Sequence, residues 1–324
     1  MIAIYAEKMD KENPLSGLKV GEMPEPKIPE GWVRVKISHA SLNRHDIFTL
    51  QGLNGQSEPI KYPMILGTDG AGTLDDGTEV SIYPVMGSAD WRGDEMHDPK
   101  WHVFSELLPG TMAEYVAVPK RNAVPVPKGL SREHAASLGA AWLVAYRAMF
   151  RRSNLKPGQT MLVQGAAGGM STALIQLGRA AGYEVWATAR NETAREVGER
   201  AGAHRVFNVN EKLPQQVHVV FDNVGPATWE HSMSSVARGG TVVSLGITTG
   251  PDVKLALMPI FVNELTITGA VMGTREDFLQ LMKFVQVAGI KPEIGKLLPM
   301  QQAEEGFCEM WEGTIRGKTV FSLL

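Results

Sequence analysis

Four consecutive polar residues interrupt an apolar run in ASLNRHDIF: Asn43, Arg44, His45 and Asp46. A histidine titrates near neutral pH, so it can hold a metal or move a proton. Arginine and asparagine can donate hydrogen bonds to a developing negative charge. An aspartate ahead of the apolar run IFTLQ has a plainer use as a helix N-cap, where its carboxylate accepts an unpaired backbone N–H. A metal site, a proton-transfer site and a polar turn are all compatible with these four residues alone.

A second stretch, LVQGAAGGMSTALIQLGRAAG over residues 162–182, has the composition of a phosphate cradle. An apolar strand runs into a turn of small residues and then into an amphipathic helix. Backbone N–H groups can approach a pyrophosphate at such a turn, and the helix dipole favours the negative charge. Ala167, Gly168, Gly169 and Met170 are the candidate contacts. Only Gly168 matches the GxGxxG pattern, with Ala166 and Ser171 at the outer positions. The assignment therefore leans on the strand–turn–helix setting.

Cofactor choice turns on the next strand, which ends in ATARNETAR with no carboxylate before Glu192. An acid there would hold the ribose 2′-hydroxyl of NAD, whereas arginine suits the 2′-phosphate of NADP. Arg190, with Thr188 and Asn191 as hydrogen-bonding neighbours, points to NADP(H).

These residues need a scaffold, and 324 residues with 44% hydrophobic and 21% charged content suit two globular domains. Basic and acidic residues nearly balance, 32 against 35, and the basic ones are scattered. No nucleic-acid or anionic-membrane partner is expected. Cys308, the one cysteine, permits no internal disulfide and no multi-thiolate metal site. The N-terminal residues carry no apolar leader, and AASLGAAWLVAY (135–146) is shorter than the roughly 20 residues that span a bilayer. A cytoplasmic protein is the expectation.

Residues 1–122 are rich in glycine and proline and carry alternating runs such as WVRVKISHA, the pattern of half-buried antiparallel strands. After AVPVPKG, Ser131 and Glu133 open a helix that runs to about Phe150. Over residues 123–268 short buried strands alternate with helices, which predicts an α/β domain with a parallel sheet covered on both faces. Residues 269–324 hold two more amphipathic helices and a closing strand. Spacing alone leaves open whether they extend the α/β domain or return to the β-rich one.

Taken together, SLNRHD, LGTDGAG, GTMAEYVAVP, LSREHAASLGAAWLVAYRAMF, LKPGQTMLVQGAAGGM, FDNVG, GGTVVSLG and the closing GKTVF resemble, in order and spacing, the medium-chain dehydrogenase/reductase superfamily and its zinc-free, quinone oxidoreductase-like branch. The resemblance implies a GroES-like β-rich catalytic domain interrupted by a doubly wound Rossmann domain, with residues 269–324 returning to the catalytic part. It implies NADP(H) and a small-molecule substrate. It also implies a homodimer or homotetramer, formed through the sheet edge near residues 253–270.

Zinc-bearing relatives place a cysteine and a histidine where this chain has Asn43 and Thr68, and residues 84–110 hold no cysteine. No metal is expected. Asn43 then matches an asparagine beside the nicotinamide, Arg44 and His45 are candidate donors to an oxyanion, and Tyr62 is a further one. By resemblance Asn223, Gly246, Ile247, Val271, Met272 and Gly273 face the cofactor, and Lys318 lies near its adenine-ribose phosphate. Asp222 is expected to brace its own turn. The implied reaction is hydride transfer from NADPH to a quinone, enone or similar conjugated carbonyl. The alternatives are a zinc-type alcohol dehydrogenase and a non-catalytic NADPH-binding protein. Trp91, His97, Trp101 and His102 lie in a segment that reads equally as a substrate lid or as surface.

Overall fold

The computed structural model describes residues 1–55 and 58–323. Two compact units emerge, Met1–Leu143 with Gly273–Leu324, and Val144–Met272. The expected boundaries at 122 and 268 fall earlier than these divisions. The reason is local: the helix Arg132–Ala136 packs on the strands Trp32–Ser41, Asp69–Leu74 and Glu79–Ile82 of the first unit.

In the first unit a sheet runs Ala123–Pro125, Glu79–Ile82, Asp69–Leu74, Trp32–Ser41, Lys318–Ser322, Ile294–Pro299, and Tyr115–Pro119 also pairs with Trp32–Ser41. The alternation read in WVRVKISHA is real, with Val35 and Ile37 wholly buried. Val320 lies opposite Ser41, and Ser41 in turn lies opposite Asp69. That register carries the closing strand to the ASLNRHD segment. Ile37, Leu66, Phe104, Phe307 and Phe321 share its core.

The second unit is a parallel sheet in the order Arg205–Asn208, Glu184–Ala189, Thr160–Gln164, Val217–Asp222, Val236–Ser244, Thr266–Gly269. The central strand Thr160–Gln164 is buried throughout, as a strand covered on both faces must be. Leu162, Trp186, Phe207, Val220 and Trp229 pack together. The order is that of a doubly wound fold, in which ligands bind outside the carboxyl ends of the strands where the order reverses.

The helix expected from Ser131 to Phe150 reaches Arg152 but is broken by π turns at Leu138–Trp142 and Ala148–Arg152. Gly139 lies in the first, where a Cβ would stand 2.7 Å from Asp69 Cβ. Among the described residues no helix is long and apolar enough to cross a membrane.

Candidate functional site

At the carboxyl end of Thr160–Gln164 the chain turns through Gly165, at φ +77°, into the helix Gly169–Ala180. Gly168 is the N-cap and has no side chain with which to cap. The first intrahelical donor is Thr172, whose N–H reaches Gly168 O at 2.9 Å. The N–H groups of Gly169, Met170 and Ser171 precede it and have no partner within the helix. Ala167, Gly168, Gly169 and Met170 are all partly exposed. A Cβ on Gly168 would meet nothing nearer than Ser171 Oγ at 3.8 Å, so the turn is open beside its Cα. An anion fits there.

Asn223 stands at the end of the neighbouring strand Val217–Asp222 and donates through Nδ2 to Ser171 Oγ at 3.2 Å. Its Oδ1 is buried without a partner among the described residues. A buried orphan acceptor costs about 1–3 kcal/mol, which a donor from a bound molecule would relieve. Asp222 braces the turn as expected, accepting from the N–H groups of Val224 and Gly225 at 2.9 Å each. Gly246 approaches Asn223 so closely that a Cβ would lie 2.9 Å from its carbonyl oxygen. Ile247 and Val271 are exposed, and Met272 adopts φ +43°.

Arg190 is exposed at the end of Glu184–Ala189, with no acid preceding it in the turn. Its expected helpers are engaged elsewhere. Thr188 is wholly buried: its hydroxyl donates to Gln164 Oε1 and accepts from the Gly165 N–H, both at 2.9 Å. It fastens the turn at Gly165 from behind. Asn191 caps the next helix, with Oδ1 accepting from the Ala194 N–H at 2.9 Å.

The β-rich unit holds a second polar centre. Asn43, and not Asp46, is the N-cap of the helix Arg44–Leu50. Asp46 lies inside the first turn, accepting from the N–H of Asn43 and the N–H of Gly67 at 2.8 Å each. Burial pushes its carboxyl up to about 6, against the opposing pull of His45 and those two N–H groups.

The Asn43 side chain is itself engaged on both its amide nitrogen and its oxygen. Nδ2 faces Asp69 Oδ1 at 2.9 Å, Ser41 O at 3.1 Å and Thr68 Oγ1 at 3.2 Å, and Oδ1 accepts from Lys318 Nζ at 2.7 Å. It is 8% exposed, with its amide turned inward onto these partners. Asp69 also accepts from Ser41 Oγ at 2.6 Å and from the Ala140 N–H at 3.1 Å. Burial raises its carboxyl, and the Lys318 charge opposes the rise. Burial likewise lowers the Lys318 ammonium, with Asp69 and Asp46 pulling the other way.

His45 is placed differently. Nε2 lies 3.1 Å from Glu106 Oε1, and Nδ1 lies 3.5 Å from Ser105 Oγ. Glu106 comes from the segment left open as lid or surface. There Asp98 ties Ser88 and Lys100 together, Phe104 is core, and Glu106 sits against the imidazole.

Residues 29–128 match the family described as an alcohol dehydrogenase GroES-like domain, and residues 169–287 the family described as zinc-binding dehydrogenase. An acryloyl-coenzyme A reductase of Sulfurisphaera tokodaii is 28% identical over 91% of this chain and 93% of its own. A quinone oxidoreductase of Pongo abelii is 27% identical over 89% and 88% respectively. The crystal structure of an NAD-dependent alcohol dehydrogenase superposes with a TM-score of 0.92 at 28% identity, covering 100% of both chains.

This chain is a medium-chain dehydrogenase/reductase. As a member of that superfamily it is an oxidoreductase of the kind that binds a nicotinamide cofactor, and the turn at Gly168–Met170 with the orphaned Asn223 acceptor fits such a group. Lys318, Gly273 and Asn43 are among the expected site residues of this dehydrogenase/reductase that the structure engages elsewhere. Lys318 is 2% exposed in the β-rich unit, donating to Leu42 O at 2.8 Å and to Asn43, so it is a buried structural cation and not an adenine-phosphate contact. Gly273 is buried, its carbonyl accepts from the Tyr83 hydroxyl at 2.8 Å, and a Cβ there would collide with Leu143, so it is a packing glycine. Asn43 belongs with them for the reason given above.

Arg44 donates to Met310 O at 2.7 Å and lies over the Trp311 ring, and the Tyr62 hydroxyl donates to Thr49 O at 2.6 Å. Both hold the helix Arg44–Leu50 in place. Asp69 and Glu106 went unread in the sequence as members of these clusters. The LGTDG motif offered a signal for the first; nothing local distinguishes the second.

Proposed function

We propose that this dehydrogenase/reductase is an NADPH-dependent reductase that passes a hydride to a quinone, enone or similar conjugated carbonyl without zinc. Arg190 carries the cofactor choice: an exposed guanidinium ends the second strand of the parallel sheet, where NAD would call for a carboxylate. When bound, the dihydronicotinamide supplies the hydride, and the chain supplies binding and orientation. Gly168, Gly169 and Met170 would take the pyrophosphate through backbone N–H groups, Ala167 leaves it room, and Asn223, Gly246, Ile247, Val271 and Met272 are the remaining candidates for cofactor contact.

Lys318 supports the metal-free part of the reading. Zinc asks for three or four thiolate, imidazole or carboxylate ligands. The group around Asn43 and Thr68 consists of an amide, a hydroxyl and a carboxylate, and a lysine ammonium already supplies positive charge 2.7 Å from Asn43 Oδ1. The names of the acryloyl-coenzyme A reductase and the quinone oxidoreductase support a conjugated acceptor. The NAD-dependent alcohol dehydrogenase favours the rival reading of alcohol oxidation.

Steady-state NADPH oxidation with a panel of quinones and enones, beside metal analysis of the same protein, separates the two. Turnover without metal is expected. Inactivity across the panel, or one zinc per chain, would overturn the proposal. Tight NADPH binding with no turnover would point instead to a non-catalytic role.

A homo-oligomer belongs to the same proposal. Thr266–Gly269 is an edge strand of the parallel sheet, and the helix Leu257–Val262 exposes Leu257, Met258 and Phe261 at 67% or more. A second copy of this edge would cover both.

A further inference from the structure

In the unit Val144–Met272 one buried side chain stands between the two turns that carry the candidate cofactor contacts. Gln164 ends the central strand Thr160–Gln164 and is wholly buried. The sheet order reverses beside it, with Glu184–Ala189 paired on one edge of that strand and Val217–Asp222 on the other. On the first side Gln164 Oε1 accepts from the Thr188 hydroxyl at 2.9 Å, and that hydroxyl accepts from the Gly165 N–H at the entry to the glycine turn. On the second side Gln164 Nε2 donates to Ser232 Oγ at 3.0 Å, and Ser232 donates to Asp222 Oδ2 at 2.6 Å. Asp222 Oδ1 in turn accepts from the Val224 and Gly225 N–H groups, next to Asn223.

Each of these bonds has one direction. The single Ser232 hydroxyl hydrogen goes to Asp222, so Ser232 can only accept from Gln164. That sets the amide with its nitrogen toward Ser232 and its oxygen toward Thr188. The second Nε2 hydrogen goes to His231 Nδ1 at 2.9 Å. His231 Nε2 faces Glu211 O at 2.8 Å, and a carbonyl only accepts, so Nε2 carries the ring proton and Nδ1 accepts. Both amide hydrogens and the amide oxygen of Gln164 therefore have partners. A buried polar network with every member satisfied holds its parts in one arrangement.

We propose that Gln164 is a positioning residue that clamps both turns in the shape a nicotinamide nucleotide needs. The proposal rests on the reading above in which those turns hold the cofactor. Gln164 acts through Thr188 on one turn and through Ser232 and Asp222 on the other. Turns ordered before binding need not be ordered by the nucleotide, and that ordering otherwise subtracts from affinity. In this reading the two turns serve the part of the molecule that NADPH and NADH share. The clamp therefore acts equally on both cofactors, in contrast to Arg190.

The test uses the full chain as wild type, Gln164→Met, Thr188→Val, Ser232→Ala and the double variant Thr188→Val with Ser232→Ala. Calorimetric titration with NADPH and NADH is combined with amide hydrogen exchange in the absence of cofactor. Gln164→Met is expected to weaken both cofactors by the same factor, about fivefold to a hundredfold. Exchange should quicken together at Gly165, Val224 and Gly225, although Thr188 and Asp222 are still present, while Leu162 and Val220 in the strand interiors keep their wild-type rates. The single-arm variants carry the test should Gln164→Met not fold. Because their arms meet in one amide, the double variant should depart from the product of the two single effects by about threefold or more. Affinities within about twofold of wild type in Gln164→Met, or single-arm effects that simply multiply, would overturn the proposal. Equal quickening at Leu162 and Val220 would make Gln164 a residue of general stability and overturn it as well. Wild-type protein that binds neither nucleotide would overturn the underlying reading, and the proposal with it.

Discussion

Lys318 Nζ lies 2.7 Å from Oδ1 of Asn43, although the two residues are 275 positions apart in the chain. The ammonium is the positive member of a buried cluster whose other charges are Asp69 and Asp46. Lys318→Met would keep most of the volume and remove the charge. It leaves Leu42 O and Asn43 Oδ1 without a donor and Asp69 without its neighbouring cation. Breaking a buried pair in this way costs about 3–5 kcal/mol. Urea denaturation at neutral pH checks it, and a loss below about 1 kcal/mol would show that the cluster does not depend on its cation.

Arg190→Ala addresses cofactor choice. Hydrogen bonds to charged groups contribute about 1.5–3 kcal/mol, so NADPH binding should weaken about ten- to a hundredfold while NADH binding stays nearly unchanged. Calorimetric titration with each cofactor measures both. An equal loss for the two would remove the 2′-phosphate assignment.

Asp46 predicts a pH dependence of stability. Its carboxyl is raised from 3.8 to about 6 by burial in the folded chain. Below about pH 4 it is protonated in both states and has no effect. As pH rises toward 6 the unfolded chain ionises it freely while the folded chain must carry a buried anion, so its contribution turns unfavourable by up to about 3 kcal/mol. Glu106, held low, acts with the opposite sign, so the comparison must be with Asp46→Asn. The stability difference between wild type and Asp46→Asn should shift toward the variant between about pH 4 and pH 7. A difference that does not change with pH would contradict the raised carboxyl.

The exposed helix Leu257–Val262 predicts an oligomer contact. Phe261→Glu would place a charge at the centre of an apolar patch and should weaken self-association about tenfold or more. Sedimentation velocity over a concentration series reads the change. An unaltered profile would move the interface elsewhere.

The alternating strands of the first 122 residues, the α/β repeat that follows and the glycine turn into the helix Gly169–Ala180 were legible because each is a local pattern. Burial on one face repeats every second residue in a strand and every three to four in a helix, and a glycine turn needs only its own neighbours. Arg190 was legible for the same reason, as a charge at the end of a recognisable strand. Thr188 was misread because its hydroxyl points to Gln164, 24 positions away.

The approach of Lys318 to Asn43 comes from strand register, Ser41 against Val320 and Asp69, and His45 meets Glu106 across 61 positions of chain. Sequence alone thus determined the fold class and the strand–turn–helix around Gly168. Which polar groups meet one another, and which of them are buried, was decided only by the tertiary structure. Hydrogen bonds and desolvation act over a few ångströms in space, whatever the distance along the chain.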